Sequence, residues 1–211
     1  MFSSVNRRKA VRLGILIIIA GTLATVAWAL IFKQEGLNFY VVTPGVLYRS
    51  AQLDPEEMSE IIRRYKLKTI VNLRAAVKFA ARGLNEETWV EDQGLRYLHL
   101  SSHTGTKIER LRRFLEVVIN PESQPVLVHC HQGRGATGVF VAAYRICVEG
   151  WNAEDAADEM VKCGASQRYL EEHLSFLQRL AILQRSKHFF LQPPANELVA
   201  KNAPAAQASE H

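Results

Sequence analysis

The run His129-Cys130-His131-Gln132-Gly133-Arg134-Gly135-Ala136-Thr137-Gly138 constrains this chain more than any other stretch. Pro125-Val126-Leu127-Val128 precedes it; short, apolar and β-branched, it reads as a buried strand. Val139 to Val148 follows as a helix-like run that stops at Gly150. A cysteine therefore ends a strand, and a glycine-containing loop leads into a helix. Successive loop N–H groups and the N-terminus of a helix converge on one point in such a layout and favour negative charge there. The same field stabilises a thiolate, the nucleophilic form of cysteine.

Three cysteines, Cys130, Cys147 and Cys163, make an odd set without close pairs. That spacing argues against a disulfide framework and against a zinc site. Cys147 and Cys163 lie in helical patterns and read as small core residues. The net charge of +5 suggests nucleic acid only until it is located. Arg7, Arg8, Lys9 and Arg12 supply four of those charges, and 5 − 4 leaves about one for the rest of the chain. No basic stripe interleaved with aromatics occurs, so a nucleic-acid partner is not expected.

Leu13 to Phe32 then run for twenty residues without a charge. At ~1.5 Å per helical residue such a run spans about 30 Å, the thickness of a bilayer core. Residues 1–12 are basic and few cations follow the run, so the reading is a single-pass anchor over 13–32 with the N-terminus cytoplasmic and the domain extracytoplasmic, periplasmic if bacterial. Ala27-Trp28-Ala29 keeps a cleaved signal peptide as the alternative, and Arg7-Arg8 weakly suggests a twin-arginine signal. Residues 33–37 form a linker, 38–187 the folded domain, and 188–211, rich in Pro, Ala, Asn and Gln, a tail without periodicity.

Within the domain, Phe39 to Val42, Val46 to Arg49, Thr69 to Leu73 and Leu95 to Leu100 read as further strands. Asp54-Pro55-Glu56-Glu57 predicts a helix start, with Asp as cap, Pro in the first turn and acids beside it. That helix runs to about Tyr65 with Met58, Ile61, Ile62 and Tyr65 on one face. Glu86 to Gln93 predicts a short helix. After the polar loop Ser101 to Thr106, a helix is expected with Ile108, Leu111, Leu115 and Val118 inward. Asn152 caps a helix ended by Gly164, and Leu170 to Ser186 predicts the last one.

The cysteine stretch resembles the phosphate-binding loop of the cysteine-dependent protein tyrosine and dual-specificity phosphatases, His-Cys-x-x-Gly-x-x-Arg-Thr/Ser-Gly. His129, Cys130, Gly133, Thr137 and Gly138 match; position 136 carries Ala where the pattern has Arg. Tyr48-Arg49-Ser50-Ala51-Gln52 and Asn72-Leu73-Arg74 resemble the atypical dual-specificity branch of bacteria, plants and fungi, and the Trp151 to Met160 segment resembles its bacterial members. The resemblance spans residues 38–187. It implies an α/β fold, a central mostly parallel sheet flanked by helices, here preceded by one N-terminal transmembrane helix.

The resemblance also implies roles. Cys130 would be the nucleophile, His129 would hold the loop and lower the thiol pKa, and the Thr137 hydroxyl would hydrogen-bond the sulfur. Backbone N–H groups of His131, Gln132, Gly133, Arg134, Gly135 and Ala136 would hold the phosphoryl oxygens, with no metal and no cofactor. Arg74 would stand at the site rim, a surface ion pair being its other reading. The loop that carries the acid in this family holds no Asp or Glu here, which leaves His103, and less readily His99, as general acid.

Three activities fit these residues. The first is a phosphatase acting on a phosphorylated protein or a small phosphomonoester. The second is an impaired member that binds phosphate without turning it over, because the missing arginine is a bidentate phosphate ligand. The third is a rhodanese-type sulfurtransferase, which Thr137-Gly138 disfavours.

Overall fold

The computed structural model describes residues 37–75 and 83–185. The anchor and both tails read from the sequence lie outside them. No helix among the described residues is long and apolar enough to cross a membrane.

Among the described residues, five strands form one mixed sheet in the order β1-β2-β5-β3-β4: β1 Tyr40–Thr43, β2 Leu47–Ser50, β3 Thr69–Asn72, β4 Arg96–His99 and β5 Val126–His129. Only β1 is antiparallel; the other four strands run together. Their register sets Ser50, His129, Asn72 and His99 side by side at the C-terminal edge. That edge is where α/β sheets place ligands.

Alternation along the strands divides the core. Tyr48, Ile70 and Leu127 face one side and pack with Phe39, Leu53, Met58, Ile61 and Val90. That side is covered by α1 (Pro55–Tyr65) and α2 (Glu86–Asp92). Leu47, Val71, Val126 and Val128 face the other and meet Leu111, Phe114, Leu115, Phe140, Ile146, Leu177 and Leu180. Those residues come from α3 (Lys107–Ile119), α4 (Gly135–Cys147) and α6 (Gln167–Arg185), and α5 (Ala153–Lys162) packs against the same layer. Every residue of α4 from Thr137 to Cys147 is buried, as its lack of a polar face requires.

Helix starts follow their caps. Asp54 and Glu57 form a reciprocal capping box with Pro55 behind the cap, and Thr106 and Glu109 form a second. Three details differ from the sequence reading. The last helix starts at Gln167 rather than Leu170, because the Ser166 hydroxyl accepts the Tyr169 N–H at 3.2 Å. Ile108 is 39% exposed and Phe114 fills the inward position instead. α4 starts at Gly135, so the glycine loop itself forms the first helical turn.

Candidate active site

Cys130 follows the last residue of β5 and is buried at the base of an open cleft of about 610 Å³. The cleft is also lined by Arg74, His131, Gln132, Arg134, Ala136 and Tyr169, and no carboxylate lines it among the described residues.

The loop above the sulfur is held by its carbonyls. His131 C=O accepts from Gln52 N–H at 3.2 Å, and Arg134 C=O from Gly138 N–H at 3.1 Å. Gln132 C=O accepts from the Asn38 amide at 3.1 Å, and Gly133 C=O from Arg49 Nη2 at 2.7 Å. With four consecutive carbonyls tied off, the N–H groups of residues 131–137 are donated to nothing among the described residues. They remain available to an anion. α4 adds the positive end of its dipole, and its cap residue Arg134 supplies no side-chain hydrogen bond to the first turn.

Glycine is required at 133. Its φ is +67°, and a β-carbon there would stand 2.5 Å from the Ser50 carbonyl carbon and oxygen. At Gly135 a β-carbon would come within 3.0–3.2 Å of the Tyr169 ring, so that ring lies over the loop. Gly164 leaves room for Arg134, whose Cδ and Nε would both be 3.1 Å from an added β-carbon. The Arg134 side chain thus lies against the α5–α6 junction.

Beside Cys130 stands a buried polar network. His129 Nε2 donates to Glu86 Oε1 at 2.6 Å, with both side chains fully shielded. Glu86 Oε2 also accepts from Gln52 at 3.1 Å and Asn72 at 3.2 Å. Gln52 Oε1 accepts from Arg74 Nη1 at 2.7 Å, which links the cleft rim to the histidine beside Cys130. Asn72 further donates to the Tyr97 hydroxyl at 2.8 Å; burial, then the Glu86 charge, pushes that phenol pKa up.

Among the described residues, Arg49 is the largest fully buried side chain. Nη2 holds the loop, while Nε and Nη1 are buried without a hydrogen-bond partner. Burial pulls its pKa down, and negative charge on Cys163, Glu159, Cys130 and Tyr40 would oppose that shift.

The residues read from the sequence fall as follows. His129, Cys130 and the loop 131–136 form the cup, and Arg74 lines its rim. The Thr137 hydroxyl is buried without a hydrogen bond, so no bond to the sulfur is formed. His103 is exposed and does not line the cleft; its N–H rests on Ser101 Oγ at 3.3 Å. His99 Nε2 meets the Arg74 carbonyl at 2.7 Å. Cys147 and Cys163 are buried free thiols.

Sequence reasoning missed Glu86, Arg49, Asn38 and Tyr169 as parts of the site. Glu86 sits next to the helix cap Asn85 and looks like an ordinary first-turn acid. Arg49 had a signal: a charged residue within a strand that other strands flank on both sides.

This arrangement defines a thiol-based anion cup on a mostly parallel α/β sheet. Residues 35–188 match the tyrosine phosphatase family, and the chain belongs to that family. It is 30% identical to the dual specificity protein phosphatase TpbA of Pseudomonas aeruginosa over 140 residues, 65% of this chain and 59% of that protein. It is 28% identical to the inositol diphosphatase SIW14 of Saccharomyces cerevisiae over 127 residues, 54% of this chain and 41% of that protein. The chain thus spans less than two thirds of the length of these curated relatives. The crystal structure of TpbA superposes with a TM-score of 0.56 at 25% identity, covering 71% of this chain and 91% of that one.

Proposed function

We propose that the protein is a membrane-anchored, cysteine-dependent phosphatase that hydrolyses phosphomonoesters through a phosphocysteine. The observation that carries this reading is the loop after Cys130 whose carbonyls all accept hydrogen bonds while its amides donate to nothing among the described residues. The anchor is the apolar run 13–32, with the N-terminus cytoplasmic and the catalytic domain on the far side of the membrane.

The Cys130 thiolate attacks phosphorus; an S–P bond forms as the P–O bond to the alcohol breaks. The loop amides hold the three equatorial oxygens, where charge develops. The alcohol oxygen leaves with a proton. Water then attacks phosphorus, the S–P bond breaks, and inorganic phosphate and thiolate are regenerated. His103 stands on the loop before α3 as the sequence candidate for the acid. Aryl phosphates, whose leaving groups need little protonation, are therefore the first substrates to test.

Ala136 favours a second reading, an impaired member that binds phosphate or a phosphoprotein. It lines the cleft with a methyl group where the family pattern has a guanidinium. One assay set separates the two. The soluble domain is assayed on an aryl phosphate beside Cys130→Ser and Ala136→Arg. Turnover that is lost in Cys130→Ser establishes the phosphatase, and turnover seen only in Ala136→Arg establishes the impaired binder.

A further inference from the structure

Tyr169 brings a phenol into the cleft that holds Cys130. It is the third residue of α6, and the Ser166 hydroxyl accepts its N–H at 3.2 Å. Two contacts hold its ring. A β-carbon on Gly135 would stand 3.0 Å from Tyr169 Cζ and 3.2 Å from Cε1 and Cε2, so the hydroxyl end of the ring is the part that meets the loop. Gly135 has no left-handed φ, so what its missing side chain provides is room for this ring. The His173 ring stacks on that of Tyr169, centroids 4.3 Å apart and planes 15° apart, and His173 Nδ1 donates to the Tyr169 C=O at 2.9 Å. Hydrogen bonds among the described residues thus engage Tyr169 through its backbone and leave its hydroxyl without a partner.

Few groups that line the cleft hold a proton they can give. Arg74 and Arg134 keep theirs far above neutral pH. Cys130 is the nucleophile of the proposed reaction. The Ser166 hydroxyl is no more acidic than the alcohol it would have to protonate. His103, the candidate from the sequence, does not line the cleft. Tyr169 and His131 remain, and His131 is exposed on the loop while the Tyr169 ring is held in place. A positioned donor is what proton transfer in a transition state requires. Burial, then negative charge on Cys130 and Glu172, pushes the phenol pKa up against the pull of Arg110, so the hydroxyl keeps its proton at neutral pH. The first turn of α6 places the positive end of a helix dipole beside the phenolate that transfer would leave.

The geometry points to Tyr169 as the general acid of this cup, its hydroxyl giving a proton to the leaving oxygen as Cys130 attacks phosphorus. The assignment rests on the phosphatase reading and supplies the proton donor for that reaction. In the first step an S–P bond forms, the P–O bond breaks with its electron pair on the leaving oxygen, and the phenol proton passes to that oxygen. In the second, water attacks phosphorus, a water proton returns to the Tyr169 phenolate, and the S–P pair returns to sulfur. The products are an alcohol and inorganic phosphate, and the phenol and thiolate are restored.

The test uses the full chain in detergent micelles beside Tyr169→Phe, which keeps the ring against Gly135 and His173. Cys130-dependent kcat/KM is measured on two substrates. The 4-nitrophenolate of 4-nitrophenyl phosphate is a weak base and leaves without a proton; the alkoxide of benzyl phosphate needs one. In Tyr169→Phe the benzyl rate divided by the nitrophenyl rate should fall about 100-fold, the lower end of what a general acid contributes. A tyrosine that only packs would lower both rates together, so an unchanged ratio overturns the assignment. A ratio that falls in His131→Asn or His103→Asn and holds in Tyr169→Phe overturns it as well.

If the parent shows no Cys130-dependent turnover of 4-nitrophenyl phosphate, the phosphatase reading fails separately. The same ratio is then read in Ala136→Arg with and without Tyr169→Phe. A fall there supports Tyr169 as the donor, and an equal ratio or a silent Ala136→Arg overturns it.

Discussion

Glu86 and His129 meet at 2.6 Å, with both side chains at zero solvent exposure and 43 positions apart in the chain. The carboxylate accepts three donors, so removing it leaves the imidazole, Gln52 and Asn72 without their shared partner. Breaking a buried pair in this way costs about 3–5 kcal/mol. Glu86→Ala should lower stability by about that much in urea titration. Glu86→Gln keeps the volume and should cost about 1–3 kcal/mol. In the folded Glu86→Gln variant, Cys130 should alkylate more slowly, because the histidine next to it loses its fixed orientation. Alkylation at the parent rate would show that the pair serves packing alone.

Arg49 presents a different balance. Its guanidinium is buried, ties the loop through Gly133 C=O, and leaves two nitrogens without partners. A desolvated cation behind the loop is best compensated when the cup holds a thiolate or a bound anion. Arg49→Met removes the charge and keeps most of the volume. Vanadate affinity should fall about tenfold, equivalent to ~1.4 kcal/mol, while stability shifts by less than about 2 kcal/mol. Unchanged vanadate inhibition would remove Arg49 from the machinery of the site.

How much of this was legible in the sequence depends on the range of each signal. Asp54-Pro55 and Thr106 with Glu109 start helices through contacts three residues apart, and those starts could be read directly. The strand before Cys130, the loop and the buried helix after it were legible for the same reason. Glu86 was not, because its partner is 43 positions away and a helix start already accounted for an acid there. Ser166 caps α6 a turn before the apolar periodicity that begins at Leu170, so Tyr169 lies in a first turn that periodicity alone does not reveal. Periodicity sets Ile108 on the apolar stripe of α3 but does not say which edge of that stripe is covered; Phe114 takes the inward role.

Gly133 is where the cup admits no side chain. The left-handed φ of +67° and a 2.5 Å approach to Ser50 backbone act together, and backbone cannot swing away as a side-chain tip could. Gly133→Ala must displace the loop from β2, which breaks the Arg49 tie to its carbonyl. A backbone forced into this region costs of order 1–3 kcal/mol before the clash is counted. The variant should lose vanadate binding and Cys130-dependent turnover while retaining its far-ultraviolet circular dichroism. Retained vanadate binding would show that the loop amides do not form the anion site.

In the proposed phosphatase, position 136 is the one at which the family pattern places an arginine and this chain an alanine. A pre-aimed donor to the transition state is typically worth ~3–4 kcal/mol, or two to three decades in rate. Ala136 lines the cleft, so a longer side chain there has open space ahead of it. Ala136→Arg should raise kcat/KM on an aryl phosphate by roughly 100-fold or more, with the gain lost in the double variant with Cys130→Ser. A gain below about threefold would mean that the described loop already neutralises the phosphoryl charge without that residue.

The two thiols away from the cup give a pH signature. Burial pushes Cys147 from the ordinary value near 9.0 to about 12, and burial also raises Cys163. A thiol whose folded pKa lies above its unfolded one contributes stability that is fully present below the unfolded value. That stability is lost as pH rises through the folded value. The protein should therefore weaken progressively between about pH 9 and 12, and Cys147→Ala, which leaves no thiol to ionise, should flatten that part of the stability profile. At neutral pH the same burial protects both thiols, so a short iodoacetamide pulse followed by mass spectrometry should find Cys130 modified first. Modification of Cys147 or Cys163 ahead of Cys130 would mean that the cup sulfur is no more nucleophilic than a core thiol.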